Sequence, residues 1–157
     1  GGTLYSRLCG AHGDRVPAPV PDAIETMRAL HRATSAGLVR ACHDLSEGGL
    51  AVAAAEMAIA GRLGLELDLM HLPGAPDVDG DAVALFSESS ARFLVEVAPE
   101  AAASFEEILT GRPVARVGRV AGDDVVRVHG IGGVVVECEL EELTRRFFGE
   151  SGRTKGL

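Results

Sequence analysis

His43-Asp44-Leu45-Ser46-Glu47-Gly48-Gly49-Leu50 separates two apolar runs, and its reading decides the fold. Before it, Leu38-Val39-Arg40-Ala41-Cys42 reads as a short buried strand. After it, Ala51-Val52-Ala53-Ala54-Ala55-Glu56-Met57-Ala58-Ile59-Ala60 reads as a helix apolar on nearly every face, which must be covered on most sides. Its alanines let neighbouring elements approach closely. Between strand and helix, Ser46 is placed to cap the helix by accepting from the backbone N–H of Gly48 or Gly49. The two glycines leave first-turn amides without a shielding Cβ. The turn therefore reads either as an anion or nucleotide site at a helix N-terminus, or as a tight turn that needs glycine only for its backbone angles. Asp44 and Glu47 would repel a bare phosphate, so a nucleotide would arrive with its charge offset by a divalent cation.

The 157 residues are about one domain's worth of chain. A net charge of -8 with no Lys/Arg cluster argues against a nucleic-acid surface. No apolar run is long enough to span a membrane, and no signal-peptide pattern is present. Cys9, Cys42 and Cys138 are widely spaced and odd in number, which fits buried thiols in a reducing cytoplasm better than disulfides or zinc. The chain begins Gly1-Gly2-Thr3-Leu4-Tyr5 without methionine and reads as a piece of a longer protein.

Residues 1–21, with three prolines, read as a lead-in segment. From Asp22 to about Ser35 a helix is expected, with Ile24, Met27, Leu30 and His31 on one face and Gly37 as its stop. His31 reads as a half-buried packing residue. Leu65-Glu66-Leu67-Asp68-Leu69 alternates as a strand with one buried face. Pro73 to Asp81 reads as a solvated loop. Its Asp77, Asp79 and Asp81 resemble the start of a calcium loop that lacks the closing Glu. In Ala82–Val97 two apolar elements flank Glu88, Ser89, Ser90 and Arg92, either a solvated turn or the polar edge of a ligand site. Pro99 opens a helix. Strand Val114–Val120 is expected to form a hairpin with Val125–Val128, which turns again at Gly130–Gly133 into Val134–Cys138. A final helix, Leu140–Phe148, is expected to turn Leu143, Phe147 and Phe148 inward. The order implies an α+β fold, an α/β sandwich with a mixed β-sheet covered by helices. Residues 22–149 make the single domain and 150–157 a loose tail.

His43–Ala53 followed by Ala55-Glu56-Met57 resembles the C-terminal domain of phosphoribosylformylglycinamidine synthase, the large synthetase of purine biosynthesis. Gly1-Gly2-Thr3-Leu4-Tyr5 is similar to that family's Gly-Gly-Ser-x-Tyr segment. Phe86-Ser87-Glu88-Ser89-Ser90-Ala91-Arg92-Phe93 is similar to its Phe-[Gly/Ser]-Glu-Ser-x-x-Arg, and Leu140-Glu141-Glu142-Leu143 to its usual end. The motifs fall in the family's order along nearly the whole chain.

The resemblance implies a C-terminal-domain fold of the aminoimidazole ribonucleotide synthetase-like superfamily. It implies a cytoplasmic parent ligase that uses ATP, Mg²⁺ and glutamine-derived ammonia to convert formylglycinamide ribonucleotide to its amidine. The implied partners are the N-terminal domains of the same synthetase, a glutaminase subunit and a small accessory subunit. Ligand sites in the superfamily lie between paired domains. The implied wall is Asp44, Ser46, Gly48 and Gly49 on one side, with Glu88, Ser89 and Arg92 on the other. No catalytic or metal-ligating residue is assigned to this chain. His43 is implied to be structural, orienting the turn. Where the duplicated first half of the family has Glu-Ser-Gln touching substrate, this chain has Glu88-Ser89-Ser90, which shortens the reach and removes an amide. The domain alone is expected to be inactive. The alternatives are another ATP-dependent member of the superfamily, or a non-catalytic scaffold.

Overall fold

A computed structural model describes residues 2–10, 16–74 and 80–149. Six helices and two sheets make up the regular structure of those residues. In the smaller sheet, β1 (Val39–Asp44) runs antiparallel to β3 (Phe93–Val97), with Asp44 opposite Phe93 and Val39 opposite Val97. The larger sheet has four strands, in the order Gly118–Ala121, Gly64–Asp68, Val125–Gly130 and Gly133–Glu139. There β2 (Gly64–Asp68) is antiparallel to β4 (Gly118–Ala121) and parallel to β5 (Val125–Gly130), which returns as a hairpin into β6 (Gly133–Glu139). Helix α3 (Gly49–Gly61) connects the sheets, leaving β1 through the Leu45–Gly48 turn and delivering the chain to β2. This is the α+β arrangement the sequence implied.

Close packing follows from the alanines of α3. Leu50, Ala53, Ala54 and Ala58 are buried, together with Leu65 and Leu67 of β2, Val126 and Val128 of β5, and Leu140 at the start of α6 (Leu140–Phe148). Along α3 every residue from Leu50 to Ile59 is buried or half-buried, as an all-round apolar helix requires. A second cluster forms under the small sheet. Ala29, Leu30 and Ala33 of α2 (Ala23–Ser35) meet Phe105 of α5 (Ala102–Ile108) and Leu109, covered by Val39, Phe93, Val95 and Val97.

Several expectations are corrected. The anticipated hairpin between the strand ending at Val120 and Val125–Val128 does not form, because β2 inserts between β4 and β5. Of Val114–Val120, only the part from Gly118 onward is strand. Of the face expected on α2 only Leu30 is buried, beside Ala29 and Ala33, while Ile24 and Met27 are 63% and 48% exposed and His31 is exposed too. The rings of Phe147 and Phe148 stay outside, each residue 54% exposed, while Leu143 packs against the core. Cys9 and Cys42 are exposed rather than buried, and Cys138 is half-buried. Asp77, Asp79 and the tail 150–157 lie outside the described residues. Asp81 opens α4 (Asp81–Phe86), and its carboxylate accepts from the Ile131 N–H at 3.1 Å.

The lead-in contains structure of its own. Thr3 caps α1 (Leu4–Leu8) by accepting from the Ser6 N–H. In the same turn, Tyr5 stacks on Phe86 of α4 with ring centroids 4.3 Å apart and planes 4° from parallel. The Phe86 segment and the Leu4-Tyr5 segment, 81 residues apart at these rings, are thereby one contact (86 minus 5).

Candidate functional site

Everything converges on the turn between β1 and α3. Gly48 and Gly49 both take left-handed backbone angles, φ +79° and +61°. That pair turns the chain sharply enough to start α3 directly beneath the segment 85–88. A Cβ on Gly49 would sit 2.6 Å from the Ser87 carbonyl oxygen and 2.7 Å from that of Leu85. The space left by the missing side chain is therefore filled by the protein's own backbone. It is not open to a ligand from that side.

The helix start is also capped from an unexpected direction. Gly48, not Ser46, occupies the N-cap position of α3, and no side chain caps it through the usual local bond. Instead Glu88 Oε1 accepts the Gly48 N–H at 2.9 Å and, with the same oxygen, the Leu4 N–H at 3.0 Å. A carboxylate at this end is favoured by the partial positive charge of unpaired helix amides. Ser46 contributes only its carbonyl, which accepts from the Gly49 N–H at 3.1 Å, and its side chain stands exposed. The Ser46 capping expectation is thus replaced by a clamp from 40 residues downstream.

Main-chain bonding completes the join, since the Leu45 N–H donates to the Arg92 carbonyl at 3.0 Å. The Arg92 guanidinium is half-buried and donates to the Ser87 carbonyl at 3.2 Å. Burial lowers its pKa from the usual arginine value. No carboxylate within ion-pair distance of it occurs among the described residues. Ser87 and Ser89 join hydroxyls at 3.0 Å. Ala91, at φ +58°, holds the 88–92 loop in a conformation that alanine rarely adopts.

All seven residues singled out by sequence thus belong to two segments in direct contact. Asp44 and Ser46 are exposed there, and Ser89 and Arg92 are half-buried. Gly48, Gly49 and Glu88 hold the two segments together from within. Behind the turn, His43 Nε2 contacts Glu56 Oε2 of α3 at 2.7 Å and Nδ1 contacts the Asp44 carbonyl at 2.6 Å. The contacts of Leu4 and Tyr5 and the carbonyls of Leu85 and Ser87 escaped sequence reasoning. Their signal was present in part, because both flanking stretches resembled motifs of one family. Among the described residues no group of three or more His, Cys, Asp or Glu side chains is placed to hold a metal ion.

A glycine-turned helix start clamped by a downstream Glu-Ser-Ser-x-Arg loop, on a mixed sheet, defines the class. The chain belongs to the family described as AIR synthase related protein, C-terminal domain, which matches residues 6–131. Within that family it is similar to phosphoribosylformylglycinamidine synthase subunit PurL of Thermobifida fusca, with 38% identity over 141 residues, covering 87% of this chain and 17% of the relative. Among solved structures it is similar to T. maritima PurL complexed with FGAR, at TM-score 0.72 and 27% identity over 82% of this chain and 22% of that one. It is likewise similar to T. maritima PurL complexed with ATP, at TM-score 0.67 and 29% identity over 75% of this chain and 21% of that one. The chain spans about a fifth of the length of the curated relatives it matches.

Proposed function

We propose that this chain is the C-terminal domain of an ATP-dependent phosphoribosylformylglycinamidine synthase, a purine-biosynthesis ligase of the cytoplasm. The observation that supports it most is the meeting of the His43–Leu50 and Phe86–Phe93 stretches in one wall, in a chain related to PurL along most of its length. The folded unit in this reading runs from α1 to α6. Asp44, Ser46, Ser89 and Arg92 face the nucleotide or substrate, while Gly48, Gly49 and Glu88 give the wall its shape. Arg92 supplies a cation with no carboxylate within ion-pair distance among the described residues, suited to an anionic group. Acidic Asp44 and Glu47 disfavour bare phosphate beside it, so ATP or ADP would bind with Mg²⁺ held by domains outside this chain. Those partner domains, and in the intact assembly the glutaminase and the small accessory subunit, supply the rest of the chemistry. No helix of the described residues is long and apolar enough to cross a membrane.

A scaffold role is the second reading. It is favoured by Glu88 being engaged with two backbone amides of its own chain. Titration with Mg-ATP and with formylglycinamide ribonucleotide separates the two. The chain alone should show no turnover. Joined to its upstream domains, the polypeptide should show amide shifts at residues 44–49 and 88–92 on ligand addition, weakened at least several-fold in affinity by Arg92→Gln. Saturable binding with no response in either segment would sink the wall and leave the scaffold. A joined polypeptide that folds but lacks the ligase activity would sink the parentage.

A further inference from the structure

Among the described residues the ring of His43 faces two acceptors and no donor. Its Nδ1 lies 2.6 Å from the Asp44 carbonyl oxygen, and its Nε2 lies 2.7 Å from the Glu56 carboxylate. A neutral imidazole carries one N–H and can satisfy only one of them. Both contacts are made together only when both nitrogens carry protons. The ring thereby ties the last two residues of β1 to the middle of α3, and the chain between those anchors holds the Leu45–Gly48 turn and the first two turns of the helix.

We propose that His43 is held as an imidazolium and acts as a positioning residue, pinning β1 to α3 across the Leu45–Gly48 turn so that the turn loosens when the ring loses a proton. The surrounding charges agree in sign. On β1 itself the Asp44 carboxylate stands 3.9 Å from Nδ1, and on α3 the facing group is Glu56. From β3 the residue in register is Leu94, and the nearby Glu96 contacts Arg40 at 3.9 Å. The backbone bond to Asp44 is the largest influence raising the His43 pKa above its ordinary 6.5, opposed by partial burial and reinforced by Glu56. With the folded value raised, the stabilisation is complete below the unfolded value of 6.5 and is lost as pH rises through the folded value. The inference holds whatever the turn binds, so it stands or falls separately from the proposed function.

The test is ring-nitrogen NMR of His43 across about pH 5 to 9, with urea unfolding of the wild type and two variants over the same range. His43→Gln assigns the ring signals by their loss. Glu56→Gln keeps an acceptor but removes the charge. The expected result is a doubly protonated ring with a midpoint above 6.5, moved down by Glu56→Gln. The amides of Leu45–Gly49 should shift with the same midpoint. The stability lead of wild type over Glu56→Gln should shrink as pH passes it. A ring that is a neutral tautomer with a midpoint at or below 6.5 overturns the inference. So does a turn whose amides show no step at that midpoint, which would leave His43 a packing residue only.

Discussion

Gly49→Val should unfold most of the molecule. Two penalties add at this position. A β-branched residue at φ +61° is strained by roughly 1–2 kcal/mol. Its Cβ would also lie 2.6–2.7 Å from two backbone carbonyl oxygens, which belong to the end of α4 and cannot swing aside as a side chain would. Relieving the clash means separating α3 from residues 85–87, and with it Leu50 and Leu85 from the main core. A combined cost above ~4 kcal/mol is expected, comparable to the whole stability of a marginal domain. Thermal unfolding followed by circular dichroism should show Tm lowered by about 10 °C or more, or no folded baseline. Gly61→Ala is the control, at the far end of the same helix with nothing within 4 Å of the added Cβ. It should leave Tm unchanged or raise it slightly. A Gly49→Val protein as stable as Gly61→Ala would show that the close approach of α3 and α4 is not what requires the glycine.

Glu88→Ala should cost about 2–3 kcal/mol, read as a fall in Tm of roughly 5–10 °C. The carboxylate bonds two backbone N–H groups, and of these the one on Gly48 belongs to a buried residue. Without Glu88 that amide loses a charge-assisted partner, and α3 loses a favourable negative charge at its N-terminus. The Leu4 amide is exposed and is rehydrated by water, so most of the cost falls on the turn. Glu88→Gln retains an acceptor oxygen and should recover about half the loss. Equal stability of Glu88→Ala and wild type would mean that the Leu45–Arg92 main-chain bond and the Gly49 contact suffice without the clamp. Hydrogen exchange adds a spatial check, because loss of protection should centre on Gly48 and Leu4, 44 residues apart in the chain (48 minus 4).

The strand, turn and helix around Gly48-Gly49 were legible as elements because local spacing and glycine chemistry specify them, but β1 alternates half-buried and exposed residues where a buried strand was expected. The β5–β6 hairpin was legible for the same reason, its turn falling between two β-rich runs. Pairing of β4 with β2 was not, since alternation identifies a strand without naming its neighbour. A hint did exist at Gly118, where a Cβ would collide with the Glu66 carbonyl oxygen, so only glycine admits β2 there. Helix α2 misled because spacing favoured the larger apolar residues Ile24 and Met27. Packing took Ala29 and Ala33, whose small side chains let the helix sit close to Phe105. At the site, the participating residues were legible as motifs, but their division of labour was not. Glycine beside a helix start looks the same in sequence whether a phosphate or the chain's own carbonyls fill the space. Only the fold distinguishes a Glu88 that waits for a ligand from one already bonded to Gly48.

The stack of Tyr5 on Phe86 gives the molecule an optical reporter. The chain has no Trp and one Tyr, so its near-ultraviolet emission comes essentially from a single ring. That ring sits on α1, beside the Leu4 amide held by Glu88, and touches the segment that closes over Gly49. Brightness, anisotropy and quencher access of this one fluorophore therefore register whether α1 is seated on α4, without any label.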